Sequence, residues 1–251
     1  SMHRHVDAFV MGNHDAALCG KLPPDRFNSF ARAMIDWTAA RVSRRGKSFL
    51  AGQSLALTGP GFSCVHGDLA VPGAFRYILD PEDALGSWEA AEDQLIFIGH
   101  SHLPGIFVRG PSGRPHLLPP QDFVLEEGKR FIVNVGSVGY PRDGDPRASY
   151  CLFETGEQAV RWRRVPFDID ALREAARRAG LDMKRMPLLD RDPLRLRKPV
   201  REQLQFNPAA DASQMARDVV PTRDLATLRR RVRRWRVAAA AGIAAAALAA
   251  A

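Results

Sequence analysis

Apolar residues come in short runs along the first half of the chain, and each run stops on glycine, imidazole or amide. Val6–Met11 leads into Gly12-Asn13-His14-Asp15, and Phe62–Val65 into His66-Gly67-Asp68. Leu95–Ile98 leads into Gly99-His100-Ser101-His102, and Phe131–Val133 into Asn134-Val135-Gly136-Ser137. Runs this short, rich in β-branched and aromatic residues, read as buried strands. If they neighbour one another in one sheet, their C-terminal ends lie along one edge, where open α/β sheets place their ligands.

Between the first two runs the period changes. Phe30, Ala33, Met34, Trp37 and Val42 mark one face of a helix within 27–52, with Arg and Lys on the other face. A second helix fits 82–93. A third fits 168–179, with Asp168 to cap it and Gly180 to stop it. Tyr150–Phe153 and Val160–Arg163 read as a hairpin. Strands and helices alternate early and strands dominate later, which implies packed sheets with helices outside.

From Pro187 the periodicity dissolves. Residues 1–186 form the expected folded domain, and 187–221, with Pro193 and Pro199, read as a linker. A short basic helix is expected over 222–236, where Arg229, Arg230, Arg231, Arg233, Arg234 and Arg236 cluster. Residues 237–251 contain only Ala, Val, Gly, Ile and Leu. As a helix they span about 22 Å, short of the roughly 30 Å hydrocarbon core. The expectation is the start of a C-terminal transmembrane helix, against the alternative of an alanine-rich tail. The arginines would then hold the flank on the cytoplasmic side and meet an anionic membrane surface through Arg229–Arg236.

Composition adds little beyond this. Lys and Arg number 36 against 28 Asp and Glu in 251 residues, and the tail holds much of the excess. Nucleic acid is a poor candidate partner, because the tail offers only Trp235 for stacking. Cys19, Cys64 and Cys151 are far apart and odd in number, which argues against a disulfide framework and for a reducing cytoplasm.

The chemistry lies at the strand ends. Neutral imidazole is a common transition-metal ligand, and an amide oxygen suits the same ions. His100 and His102, two apart, project to one side of an extended segment. Four of the chain's seven histidines, His14, His66, His100 and His102, sit in elements of this kind.

Taken together, Gly12-Asn13-His14-Asp15, His66-Gly67 and Gly99-His100-Ser101-His102 resemble the later motifs of the calcineurin-like metallophosphoesterase superfamily, nearest to its bacterial diadenosine-tetraphosphatase-like and phosphodiesterase branch. The likeness extends through Phe27-Asn28, Ala31-Arg32, Trp37-Thr38, the Tyr77 region and Asn134–Gly144, covering roughly 6–182. It implies an α+β fold, a four-layer α/β/β/α sandwich, and hydrolysis of phosphomonoesters or phosphodiesters at two divalent metal ions (Mn, Fe, Zn, Ni or Co). By position, Asn13, His66 and His100 would ligate one metal and His102 the other. His14 would face the scissile phosphate with Asp15 orienting its ring, and Arg142 would meet phosphate.

Members of that superfamily also carry an earlier Asp-x-His and a Gly-Asp whose aspartate bridges the metals. Neither motif is found before Gly12-Asn13-His14-Asp15 in these residues. The expectation is a domain missing its first strand–helix unit, holding at most one metal well and nearly inactive by itself. The alternative is a non-catalytic, membrane-associated binding or scaffold protein that retains the fold.

Overall fold

The computed structural model describes residues 6–111 and 113–181, together with the backbone of 223–224 and 235–237. Two sheets organise it. The larger has seven strands in the order β10-β1-β2-β3-β7-β4-β5: Arg223–Asp224, Ala56–Gly59, Phe62–Val65, Leu95–Ile98, Arg130–Asn134, Gly105–Arg109 and His116–Leu118. The smaller has four, in the order β11-β8-β9-β6: Trp235–Val237, Ala148–Glu154, Ala159–Val165 and Phe123–Val124.

A period of two explains why the larger sheet is buried on both faces. Leu95 and Phe97 of β3, Phe131 and Val133 of β7, and Ile106 and Val108 of β4 face the smaller sheet, meeting Cys151, Phe153 and Trp162. The intervening Ile96, Ile98, Ile132 and Phe107 face the other way and pack with Trp88 of helix α4 (Leu85–Ala90). A third cluster joins helices α1 (Asn13–Leu18), α2 (Ser29–Ala39) and α3 (Arg44–Ala51), with Met11, Ile35 and Phe75 at its centre. Helix α5 (Ile169–Arg178) follows β9 and buries Ala176 completely. Helices outside two packed sheets give the α+β class.

Strands β2, β3 and β7 are adjacent and parallel, so the ends of three of the four anticipated runs share one edge. The first run differs. Val10 makes a single parallel bridge to Ser54, and the Met11 N–H donates to the Ser54 carbonyl at 2.8 Å. Because Ala56 pairs with Val65, that bridge still brings Gly12 to the edge where β2 ends.

Helical expectations shift in length for local reasons. The 27–52 segment breaks into α2 and α3, because Ser43 is extended (ψ 159°) and caps a new helix by accepting the Gly46 N–H. The 82–93 helix shortens to α4, since Asp83 instead accepts the Leu79 and Asp80 N–H groups in the preceding turn. Helix α5 matches its expected bounds, with Asp168 accepting the Ala171 N–H and Gly180 at φ +73°. In the expected basic helix 222–236 the backbone is extended at Arg223–Asp224 and Trp235–Arg236, where it pairs with β1 and β8. Unpaired sheet edges offer ladder bonds that override helical composition there. Residues 225–234, the 187–221 linker and the apolar 238–251 lie outside the described residues. Among the described residues no helix is long and apolar enough to cross a membrane.

Candidate metal centre

Three backbone devices bring side chains to the shared edge. His66 follows β2 directly, and its carbonyl accepts the Gly99 N–H at 3.0 Å, which pins the turn after β3 beside it. Asn134, at the end of β7, donates its amide to the Gly99 carbonyl and to Ser101 Oγ, both at 2.8 Å. Held this way, His100 and His102 both adopt left-handed backbone, φ 63° and 61°. Gly12 lies against the His66 ring, where a Cβ would stand 3.0 Å from Cε1 and 3.1 Å from Nδ1, so only glycine lets Asn13 approach this closely.

The result is a convergent donor set. His66 Nε2 lies 3.1 Å from Asn13 Oδ1 and 3.0 Å from His100 Nδ1. Two imidazole nitrogens and an amide oxygen gathered this closely are groups of the kind that share a cation. An octahedral edge between donors bonded at about 2.1 Å would span about 3.0 Å, so the set fits a divalent transition metal. The second nitrogen of His100 donates to the Phe75 carbonyl, leaving Nδ1 with its lone pair inward. His102 donates through Nδ1 to the Tyr140 carbonyl at 2.8 Å, leaving Nε2 as its free donor atom. Among the described residues no three His, Cys, Asp or Glu side chains surround one point, so the first set depends on the amide of Asn13 and does not include His102.

Electrostatics keep the ring lone pairs unprotonated. Burial, with His14 nearby, pushes His66 down to about 3. Burial, with Arg142 nearby, pushes His14 down to about 4. His100 and His102 lie well below the usual imidazole range, chiefly through burial and then through neighbouring positive groups. All four rings are neutral at neutral pH, which is the ligating form.

The remaining anticipated residues fall around this set. His14 packs edge-on against Phe27, ring centroids 5.1 Å apart. Asp15 Oδ2 accepts the Gly12 N–H at 2.9 Å, closing the start of α1. Burial raises its carboxyl to about 6. Asp68 is a turn residue, accepting from the Ala70 N–H and from Ser87 Oγ. Arg142 reaches the cluster from the loop after β7, its N–H donating to the His102 carbonyl at 3.1 Å. Its guanidinium lies 5.1 Å from the Tyr140 ring centroid, and its Nε is buried without a partner.

Sequence reasoning missed the support given by Phe75 and Tyr140, both through backbone carbonyls. No side-chain pattern announces a carbonyl acceptor. Phe75 does so from left-handed backbone, φ 50°, a conformation its residue type gives no hint of.

The chain belongs to the calcineurin-like phosphoesterase superfamily, whose domain matches residues 4–158. It is 34% identical over 165 residues to an uncharacterized protein of Methanocaldococcus jannaschii, covering 64% of this chain and 65% of that protein. The chain thus spans just under two thirds of that relative's length. The crystal structure of a metallophosphoesterase from Sphaerobacter thermophilus is similar, with TM-score 0.60 and 33% identity over 72% of this chain and 74% of that one. A hypothetical protein of Pyrococcus horikoshii shares the fold, with TM-score 0.55 and 16% identity over 75% of this chain and 74% of that one.

Proposed function

We propose that the protein is a metal-dependent hydrolase of phosphomonoesters or phosphodiesters, with its chemistry at the shared edge of β2, β3 and β7. The approach of both Asn13 Oδ1 and His100 Nδ1 to within 3.1 Å of His66 Nε2 carries this reading. These three would hold one divalent ion (Mn, Fe, Zn, Ni or Co), and His102 would offer Nε2 to a second. When bound, such ions polarise phosphoryl oxygens and make hydroxide available at neutral pH.

The chain's own residues do the rest. Arg142, with a buried and unpartnered Nε, supplies fixed positive charge for a phosphoryl group. His14 is neutral before substrate arrives, so it addresses the leaving oxygen through an N–H aimed at developing charge. Asp15 fixes the first turn of α1 and with it the approach of Asn13 and His14.

Asp15 and Asp68 are each engaged through one carboxylate oxygen, Asp15 with the Gly12 N–H and Asp68 with the Ala70 N–H and Ser87 Oγ. With three ligands for one ion and His102 alone for a second, this chain holds one ion well and turns over slowly. Calorimetry with Mn²⁺ should show saturable binding that disappears in His66→Ala, with hydrolysis of bis-p-nitrophenyl phosphate near background. Absence of binding would overturn the metal centre. Robust turnover abolished by His66→Ala would overturn the single-ion part.

A further inference from the structure

Tyr77 is not a ligand by residue type, yet it touches both halves of the site. Its ring lies on His100 nearly parallel, centroids 3.9 Å apart and planes 8° from each other. Its hydroxyl is bonded to the Arg142 guanidinium. The segment carrying it is fixed from two sides. The Phe75 carbonyl accepts from His100, and the Phe75 ring packs edge-on against His66 at 6.1 Å. The backbone of Arg76 lies so close to Gly67 that a Cβ there would meet the Arg76 carbonyl oxygen at 2.6 Å.

Arg142 is correspondingly held at three points. Its own N–H donates to the His102 carbonyl, its guanidinium packs near the Tyr140 ring, and its side chain meets the Tyr77 hydroxyl. Without Tyr77 the guanidinium keeps its backbone anchor but loses the contact that fixes it relative to the imidazoles.

We propose that Tyr77 is a positioning residue, stacked on His100 and bonded to Arg142, which sets the anion-holding guanidinium in register with the metal-ligating rings. The inference rests on the reading of this edge as a metal and phosphate site. It divides the roles of one side chain: the ring orients a ligand and the hydroxyl orients an arginine.

A test uses the whole chain with two probes, Co²⁺ followed by its visible absorption and inorganic phosphate followed by calorimetry on the cobalt form. In Tyr77→Phe the stack survives, so cobalt affinity and spectrum stay unchanged while phosphate binds about tenfold more weakly, the scale of one hydrogen bond to a charged group. In Tyr77→Leu the stack is lost, and the cobalt spectrum changes as well. A purely structural role is separated by a cycle with Arg142→Lys: Tyr77→Phe adds no further loss of phosphate affinity once Arg142 is replaced. Phosphate affinity unchanged in Tyr77→Phe, or losses that add in the double variant, would overturn the role of Tyr77 while leaving the metal site standing. An unsubstituted chain that binds no cobalt would overturn the site reading and this inference with it.

Discussion

Metal-free protein should lose stability on mild acidification, and the imidazole cluster sets how much. His14 falls from 6.5 to about 4, and His66 from 6.5 to about 3. For a base whose folded pKa is depressed, the unfolded chain takes up the proton first as pH falls. Each such histidine contributes stability that is present above the unfolded value and lost below it. Between about pH 7 and pH 5 the loss is about 2 kcal/mol for each of these two rings. Asp15 runs the opposite way. Its carboxyl rises from 3.8 to about 6, so the folded state holds a proton the unfolded chain has shed. Over the same interval it returns about 1 kcal/mol. His100 and His102 are shifted in the same direction as His14 and add to the loss. Urea titrations in chelator at the two pH values, read by tryptophan fluorescence, measure the net change. His14→Gln, which cannot titrate, should show a loss smaller by about 2 kcal/mol than the unsubstituted chain. A metal-free chain whose stability is flat or rises on acidification, or a His14→Gln variant with an undiminished loss, would refute the neutral cluster.

Two substitutions test the backbone that carries the site. In Gly67→Ala the new methyl would stand 2.6 Å from the Arg76 carbonyl oxygen, a backbone atom that cannot swing aside. Thermal melts should show a loss of about 1–3 kcal/mol, and an unchanged melting temperature would contradict the contact. At His102 (φ 61°) the Gly and Ala variants lose the same ring and differ only in backbone freedom. The usual order should therefore reverse, with His102→Gly equal to or up to about 1 kcal/mol more stable than His102→Ala; Ala more stable by the ordinary margin would show no strain there.

What the sequence made legible follows from how local each signal is. Leu95–Ile98 alternates between the two faces of its sheet and ends at Gly99-His100, so both the strand and the place of the histidine after it could be read from a few adjacent residues. Helix α5 was equally plain, because its cap and its stop, Asp168 and Gly180, are local chemistry. Strands β1, β4, β5 and β6 were not, being short stretches whose only reason to extend is a partner distant in the chain. Within the site, Asn13, His66 and His100 could be named as candidates because amide and imidazole side chains at strand ends advertise themselves. The bond from Gly12 to Asp15 could not be read, because the carboxylate had two plausible targets, His14 and the helix start, and only the folded backbone shows the second. Tyr77 was noticed in passing without a role, since stacking on His100 and bonding to Arg142 join elements far apart in sequence.

The strain around the site and the bonds that define it belong to one network. Phe75, His100 and His102 are three of the four non-glycine residues at positive φ among the described residues. Each such residue costs on the order of 1–2 kcal/mol as backbone. Their compensation comes from one another. Phe75 turns its carbonyl to His100, and His102 is held between the Tyr140 carbonyl and the Arg142 N–H. Asn134 binds the turn between them through Gly99 and Ser101. These hydrogen bonds from β7 and its loop fix the backbone on either side of His100 and His102. Side chains anchored through their backbone in this way keep a fixed direction, which is what preorganised electrostatic chemistry demands.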